Sequence, residues 1–234
     1  MSETVMIRAQ EVFGADLAQS YGLTETIGVT TILPPSDHVA GNGNRLRSAG
    51  RAVPGIEIEI VDPETGADVP ADEVGEICTR GPSVTGAYWR RPKESAESFW
   101  PGAWFKTGDA GYLDADGYVF IMDRIKDLLM SGGENIYPAE VENAIMAHPA
   151  VQETAVIGIP SEKWGETPLA VVVPKAGMTL GEDELIAFTR ERLAHYKCPT
   201  AVQFTDALPR SPSGKVLKRE LRAPWWEGHG RKVG

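Results

Sequence analysis

Two kinds of hydrophobic pattern meet near Asp123-Arg124, and no single layer of secondary structure accommodates both. From Thr24 to Ile121 the chain reads as short strands broken by turn signals. Ile56-Glu57-Ile58-Glu59-Ile60-Val61 alternates apolar and polar residues with period two, as a half-buried strand does. Glu76–Arg80 predicts another strand, and Asp114-Ala115-Asp116-Gly117 predicts a hairpin turn between Gly111–Leu113 and Tyr118–Ile121. Ahead of these, a helix is expected over Glu3–Phe13 and a short strand over Ala15–Gln19. Beyond the boundary, helix and strand alternate. Pro138 opens a helix to about Ala147 with Val141, Ala144 and Ile145 on one face, and strands follow at Thr154–Gly158 and Leu169–Val173. Thr179 and Glu182 form a capping box for a helix reaching Leu193, then come a strand at Val202–Phe204 and a short helix at Val216–Leu221. The expected class is α+β: a β-rich part over 1–123 and a small α+β domain over 124–234.

Bulk properties narrow the function. The longest apolar runs, Ala155–Ile159 and Leu169–Val173, are strand-sized, so no transmembrane segment is expected. The N-terminus lacks a basic segment followed by an apolar run. Cys78 and Cys198 lie far apart without metal-ligand spacing, which suits a reducing, cytoplasmic setting. A net charge of −10 argues against a nucleic-acid partner. The charge is uneven: from Arg210 onward seven Lys/Arg face two acids, +5 against −15 for the rest. Such a cluster is either a solvated helix face or a patch for a phosphate-bearing small ligand.

Five segments carry residue types suited to phosphate and sugar chemistry. Tyr21-Gly22-Leu23-Thr24-Glu25 offers an aromatic face, a glycine for close backbone approach, a hydroxyl, and a hard oxygen ligand for Mg²⁺. Lys106-Thr107-Gly108-Asp109 places an acid in a glycine-adjacent turn, either for two sugar hydroxyls or as an Asx-turn on its own backbone. Asp123-Arg124-Ile125-Lys126-Asp127 sits on the boundary, where Arg124 can reach a sugar or merely solvate a linker. Ser131-Gly132-Gly133-Glu134-Asn135 is a narrow passage for a ligand or a glycine-rich turn. Ser211-Pro212-Ser213-Gly214-Lys215 projects a cation from a proline-restricted loop. Three templates fail. Leu46 ends the glycine cluster at 41–44 where a dinucleotide fingerprint needs glycine, and Pro209 replaces the first glycine of a Walker loop. Tyr112 stands at the first ligand position of a calcium loop. Four scattered histidines, at 38, 148, 195 and 229, suggest neither zinc nor a Ser-His pair.

Taken in order, the segments YGLTE, GEICTRG, KTGD, DRIKD, SGGEN, WGE and SPSGK resemble the acyl-adenylate-forming superfamily, in its acid–CoA ligase branch of fatty-acyl type. The likeness runs from about Val5 to Arg222. It implies that 1–123 is the C-terminal part of a large AMP-binding domain with a barrel-like sheet, and 124–234 the mobile C-terminal domain. It further implies that Tyr21 and Gly22 flank adenine, Thr24 meets the AMP phosphate and Glu25 binds Mg²⁺. Asp109 and Arg124 hold the ribose, Lys126 is the hinge, and Ser131, Gly132 and Gly133 line the passage for CoA. Lys215 reaches the carboxylate and α-phosphate during adenylation. The implied substrates are ATP, a carboxylic acid and CoA. Two positions depart from plant members: Met130 replaces a lysine and Asn135 a glutamine. The family's Ser/Thr/Gly-rich phosphate-gripping loop does not occur in these 234 residues. The resemblance therefore implies a truncated or split chain with little adenylation alone, or a non-catalytic AMP- or CoA-binding module docking on a separate N-terminal polypeptide.

Overall fold

The structure is a computed structural model that describes residues 3–38, 43–212 and 214–228. Gly41 and Asn42 of the glycine cluster, Ser213, His229 and the last two cations of the basic tail lie outside the described residues. The chain is α+β and sheet-rich, and it divides into two compact units, Met1–Met122 and Asp123–Gly234.

In the first unit, helix α1 (Glu3–Phe13) precedes a three-stranded antiparallel sheet of β1 (Gln19–Tyr21), β2 (Thr31–Leu33) and β3 (Arg51–Ala52). The early strand falls at Gln19–Tyr21, not Ala15–Gln19, because the pairing is set by β2: Gln19 lies opposite Leu33 and Tyr21 opposite Thr31. A five-stranded sheet follows, built from β4 (Glu57–Val61), β5 (Gly75–Arg80), β6 (Phe99–Trp100), β7 (Trp104–Leu113) and β8 (Val119–Arg124), with α2 (Pro92–Glu97) beside β6. Asp114 closes the β7–β8 turn, its carboxylate accepting the Asp116 and Tyr118 amides while Gly117 takes a positive φ. A bridge between Gly50 and Val119 joins the smaller sheet to β8, and Ala49, Ile60, Ile77 and Val119 are buried together at that seam.

The second unit is a mixed sheet covered on both faces. Its strands are β9 (Leu129–Ser131), β10 (Glu134–Ile136), β11 (Val151–Ser161), β12 (Gly165–Pro174) and β13 (Ala201–Phe204), the last parallel to β12. Helices α3 (Pro138–Met146) and α4 (Glu182–Arg190) supply Val141, Ile145 and Leu185 to one core with Val156, Ala170 and Val172. The alternate residues Ala155, Ile157, Leu169 and Val171 face a second core with Leu208, Val216 and Leu221. Two buried faces explain why β11 and β12 read as nearly continuous apolar runs. The cap of α4 is not Thr179 with Glu182: the Gly181 amide donates to Glu184, one turn in, and the helix ends at Arg190. The short C-terminal helix α5 spans Lys218–Arg222, starting two residues later than the periodicity predicts.

Candidate functional site

The first unit brings two sequence-distant segments into contact. Tyr21 ends β1, and its hydroxyl donates to Asp109 Oδ2 at 2.7 Å across 88 positions of sequence. Asp109 is only 6% exposed. It owes its direction to an irregularity in the β5–β7 ladder. Glu76 pairs with Ala110 and Cys78 with Lys106, so Ile77 alone faces Thr107, Gly108 and Asp109. Extra residues of this kind bend a strand and re-aim a side chain. The groups displaced from the ladder find local partners. The Thr107 hydroxyl donates to the Ile77 carbonyl (2.6 Å), the Asp109 amide to Thr107 Oγ1 (3.1 Å) and the Gly108 amide to Glu76 Oε1 (3.2 Å). Gly108 takes φ +71°, a conformation that favours glycine.

After Tyr21 the chain turns through Gly22 into a 3-10 turn at Thr24–Thr26. Gly22 has a reason internal to the fold: a Cβ there would lie 1.9 Å from the Gly28 carbonyl oxygen. The turn is closed by the Thr26 hydroxyl, which donates to the Leu23 carbonyl and accepts its amide. It ends on Ile27 in the left-handed region, φ 55° and ψ 37°. Thr24 is exposed, while Glu25 is half-buried with Oε1 accepting the Tyr88 hydroxyl at 2.9 Å. Among the described residues no group of three or more His, Cys, Asp or Glu is set to hold a metal. A lone carboxylate fits Mg²⁺ delivered with a nucleotide, because that ion keeps several waters and takes phosphate oxygens alongside one or two carboxylates.

In the second unit the boundary segment is anchored by its two acids. Asp123 Oδ1 accepts the Arg124 amide and Oδ2 the Ala139 amide at the start of α3. Asp127 pairs with Arg222 at 2.9 Å, both largely shielded. Arg124 and Lys126, between them, are exposed. Ser131, Gly132 and Gly133 form the tight turn from β9 to β10, with Gly132 at φ +60° and Gly133 at φ +90°. The Gly132 amide donates to the Trp164 carbonyl, and a Cβ on Gly132 would meet the Trp164 ring at 2.9 Å. The SGGEN and WGE segments are therefore one local structure.

Lys215 projects from a hairpin-like loop closed by the bridge between Arg210 and Val216. Its side chain is exposed and makes no ion pair among the described residues. Arg210, unrecognised in the sequence, holds the loop: one guanidinium nitrogen donates to the Gly214 carbonyl (2.6 Å) and another to Glu153 Oε2 (2.7 Å). Other cations of the tail are paired within the domain. Lys218 pairs with Glu142 at 2.7 Å and Arg222 with Asp127, so three of its cations, with Arg210, serve the domain's own acids. Among the described residues of the tail, Lys215 and Arg219 remain exposed.

Comparison with known proteins agrees with this architecture. Residues 1–89 match the family model for AMP-binding enzymes, and 140–215 match that for the AMP-binding enzyme C-terminal domain. A fatty acid–[acyl-carrier-protein] ligase of Streptomyces coeruleorubidus is 44% identical over 233 residues, covering 100% of this chain and 44% of the relative. A feruloyl-CoA synthase of Amycolatopsis is 46% identical over 209 residues, covering 89% of this chain and 41% of the relative. The Bacillus subtilis o-succinylbenzoate CoA synthetase, solved with its acyl-adenylate intermediate, superposes with a TM-score of 0.85 at 38% identity. That superposition covers 99% of this chain and 45% of the synthetase. The chain spans less than half the length of these relatives. Two family domains in order, and relatives alike across nearly all of its residues, place the chain in the AMP-binding, adenylate-forming enzyme family, of which it represents a C-terminal portion.

Proposed function

We propose that this chain supplies the adenosine-holding and thioester-forming parts of an acid–CoA ligase acting on fatty acids in the cytoplasm. The observation that carries this reading is the Tyr21 hydroxyl bonded to the buried Asp109 carboxylate, an aromatic ring and an acid held side by side as a nucleoside requires. In the first step a substrate carboxylate oxygen attacks the α-phosphorus of ATP and pyrophosphate leaves. Bound Mg²⁺ would offset phosphate charge, with Glu25 as its protein ligand. Tyr21 and Gly22 flank the adenine, Asp109 and Arg124 take the ribose hydroxyls, and Thr24 donates to the phosphate. Lys215 supplies a fixed positive charge where negative charge grows, an electrostatic contribution to the barrier. In the second step the CoA thiol attacks the acyl carbon, the acyl–phosphate bond breaks and AMP departs. Ser131, Gly132 and Gly133 then line the approach of the pantetheine arm, and rotation about Lys126 exchanges the two arrangements. Free cysteines at 78 and 198, both buried, suit a reducing compartment.

The fatty-acyl preference follows the relative that matches the whole chain, whose name also specifies a carrier-protein thiol. The test is ATP–pyrophosphate exchange with fatty acids, by this chain alone and with a polypeptide bearing the phosphate-gripping loop. Thioester formation is then compared with CoA and with a phosphopantetheinylated carrier. Exchange is expected only in the mixture, and transfer to CoA. Exchange by the chain alone would overturn the need for a second polypeptide, and transfer only to the carrier would overturn the choice of CoA.

A further inference from the structure

Glu76 is an unusual residue for the interior of a strand. It is 5% exposed, beside another carboxylate, Asp109, that is 6% exposed. Burial pushes the Glu76 carboxyl above its usual range, with a smaller contribution from Asp109, while the Gly108 amide, Lys106 and the Trp100 side chain oppose it. An apolar residue would fill that place in the β5–β7 layer without a desolvation penalty. What Glu76 contributes to the bulge is an acceptor: its Oε1 takes the Gly108 amide, which the three-against-one bulge has removed from the ladder. Ladder pairing resumes at Ala110, directly opposite Glu76. The acid thus sits at the foot of the bulge, one residue from the ladder position at which Asp109 leaves it.

We propose that Glu76 is a positioning residue that pins the Gly108 peptide and thereby aims Asp109 at its ligand. This inference rests on the reading of Asp109 as a ribose-holding acid. Thr107 secures the two neighbouring bonds of the bulge, and Glu76 completes a set in which the Thr107 hydroxyl and the Gly108 and Asp109 amides each have a partner. The set holds the carboxylate of Asp109 where the Tyr21 hydroxyl meets it.

The decisive experiment titrates the 234-residue chain, as wild type and as Glu76→Gln, Glu76→Leu and Asp109→Ala, with AMP by calorimetry. Melting temperature and the exchange rate of the Gly108 amide by NMR are followed in parallel. Glu76→Gln keeps an acceptor oxygen and should bind AMP within about twofold of wild type. Glu76→Leu should lose about tenfold in affinity, the worth of one hydrogen bond to a carboxylate. It should also exchange Gly108 at least as many times faster, while its melting temperature changes little, because relief of carboxylate burial offsets the unpaired Gly108 amide. A merely structural Glu76 would move melting temperature and leave the affinity alone. Retained AMP affinity in Glu76→Leu, with loss in Asp109→Ala, overturns the positioning role. If Glu76→Leu fails to fold, Glu76→Gln decides: weakened AMP binding with slow Gly108 exchange overturns the acceptor argument. Wild type and Asp109→Ala alike in failing to bind AMP would overturn the nucleotide reading, and Gly108 exchange would still decide whether Glu76 holds the bulge.

Discussion

Gly22→Ala separates a fold explanation from a ligand explanation for the glycine of the Tyr21-Gly22-Leu23-Thr24-Glu25 segment. The added methyl would lie 1.9 Å from the Gly28 carbonyl oxygen and 2.6 Å from its carbon, both backbone atoms that no rotamer change can move. Restoring normal contact requires the two segments to part by roughly 1.5 Å. That movement strains the bonds closing the loop, Thr30 N–H to the Tyr21 carbonyl (2.7 Å) and Gly28 N–H to the Leu23 carbonyl (3.0 Å). Overpacking alone destabilises by about 1–3 kcal/mol, and each strained bond contributes up to about 1 kcal/mol more, so roughly 3 kcal/mol is expected. For a unit of this size that lowers Tm by roughly 10 °C. Differential scanning calorimetry of the intact chain measures it, with Gly133→Ala as the control. A Cβ at Gly133 meets nothing within 4 Å, so only its φ of +90° is penalised, by about 1 kcal/mol and in the second unit. If Gly22→Ala melted within about 2 °C of wild type while losing AMP affinity, the glycine would serve the ligand and the steric reasoning would fail.

Two further outcomes follow from the same geometry. Ile27 holds a left-handed φ of 55° while 80% exposed, so Ile27→Asn relieves strain and loses little burial. A gain of about 1 kcal/mol is expected in urea unfolding, and a decrease would show that Ile27 packs on something that the strain argument omits. Burial pushes the Cys78 thiol up to about 12. The folded chain then keeps that proton where the unfolded chain, with a thiol near 9, releases it. Stability should therefore be undiminished by this group below pH 9 and fall between pH 9 and about 12, at up to about 1.4 kcal/mol per pH unit. Iodoacetamide at pH 8 should leave Cys78 untouched until the chain unfolds; rapid native alkylation would refute the burial argument.

The element types of this chain were largely legible because its periodicities are clean. The period-two run at Ile56–Val61 and the doubly apolar runs of β11 and β12 leave little choice of structure. Features decided by a partner elsewhere were not legible. The register of β1 depends on β2, and the cap of α4 on whether Glu182 or Glu184 reaches back to the preceding amide. The basic tail shows the same limit. Counting charges after Arg210 reveals an excess, but the matching acids Asp127, Glu142 and Glu153 lie 57 to 95 positions earlier, so local net charge misstates what is available to a ligand.

The candidate site divides along the same line. Tyr21, Glu25, Asp109 and Lys215 are visible as residue types in suggestive turns, because each carries its chemistry in its own side chain. Glu76 and Arg210 carry none that a turn would advertise: one looks like the polar half of an alternating strand, the other like one more surface cation. Their importance lies in backbone groups they hold, the Gly108 amide and the Gly214 carbonyl, each beside a residue proposed to meet the ligand. A bulge has no sequence period, since it exists only relative to the strand opposite, and a guanidinium clamp has no spacing, since its two acceptors are Gly214 and Glu153. The residues that aim a site are therefore read from the hydrogen-bond partners of its peptide groups, and in this chain that accounting leads from Asp109 to Glu76 and from Lys215 to Arg210.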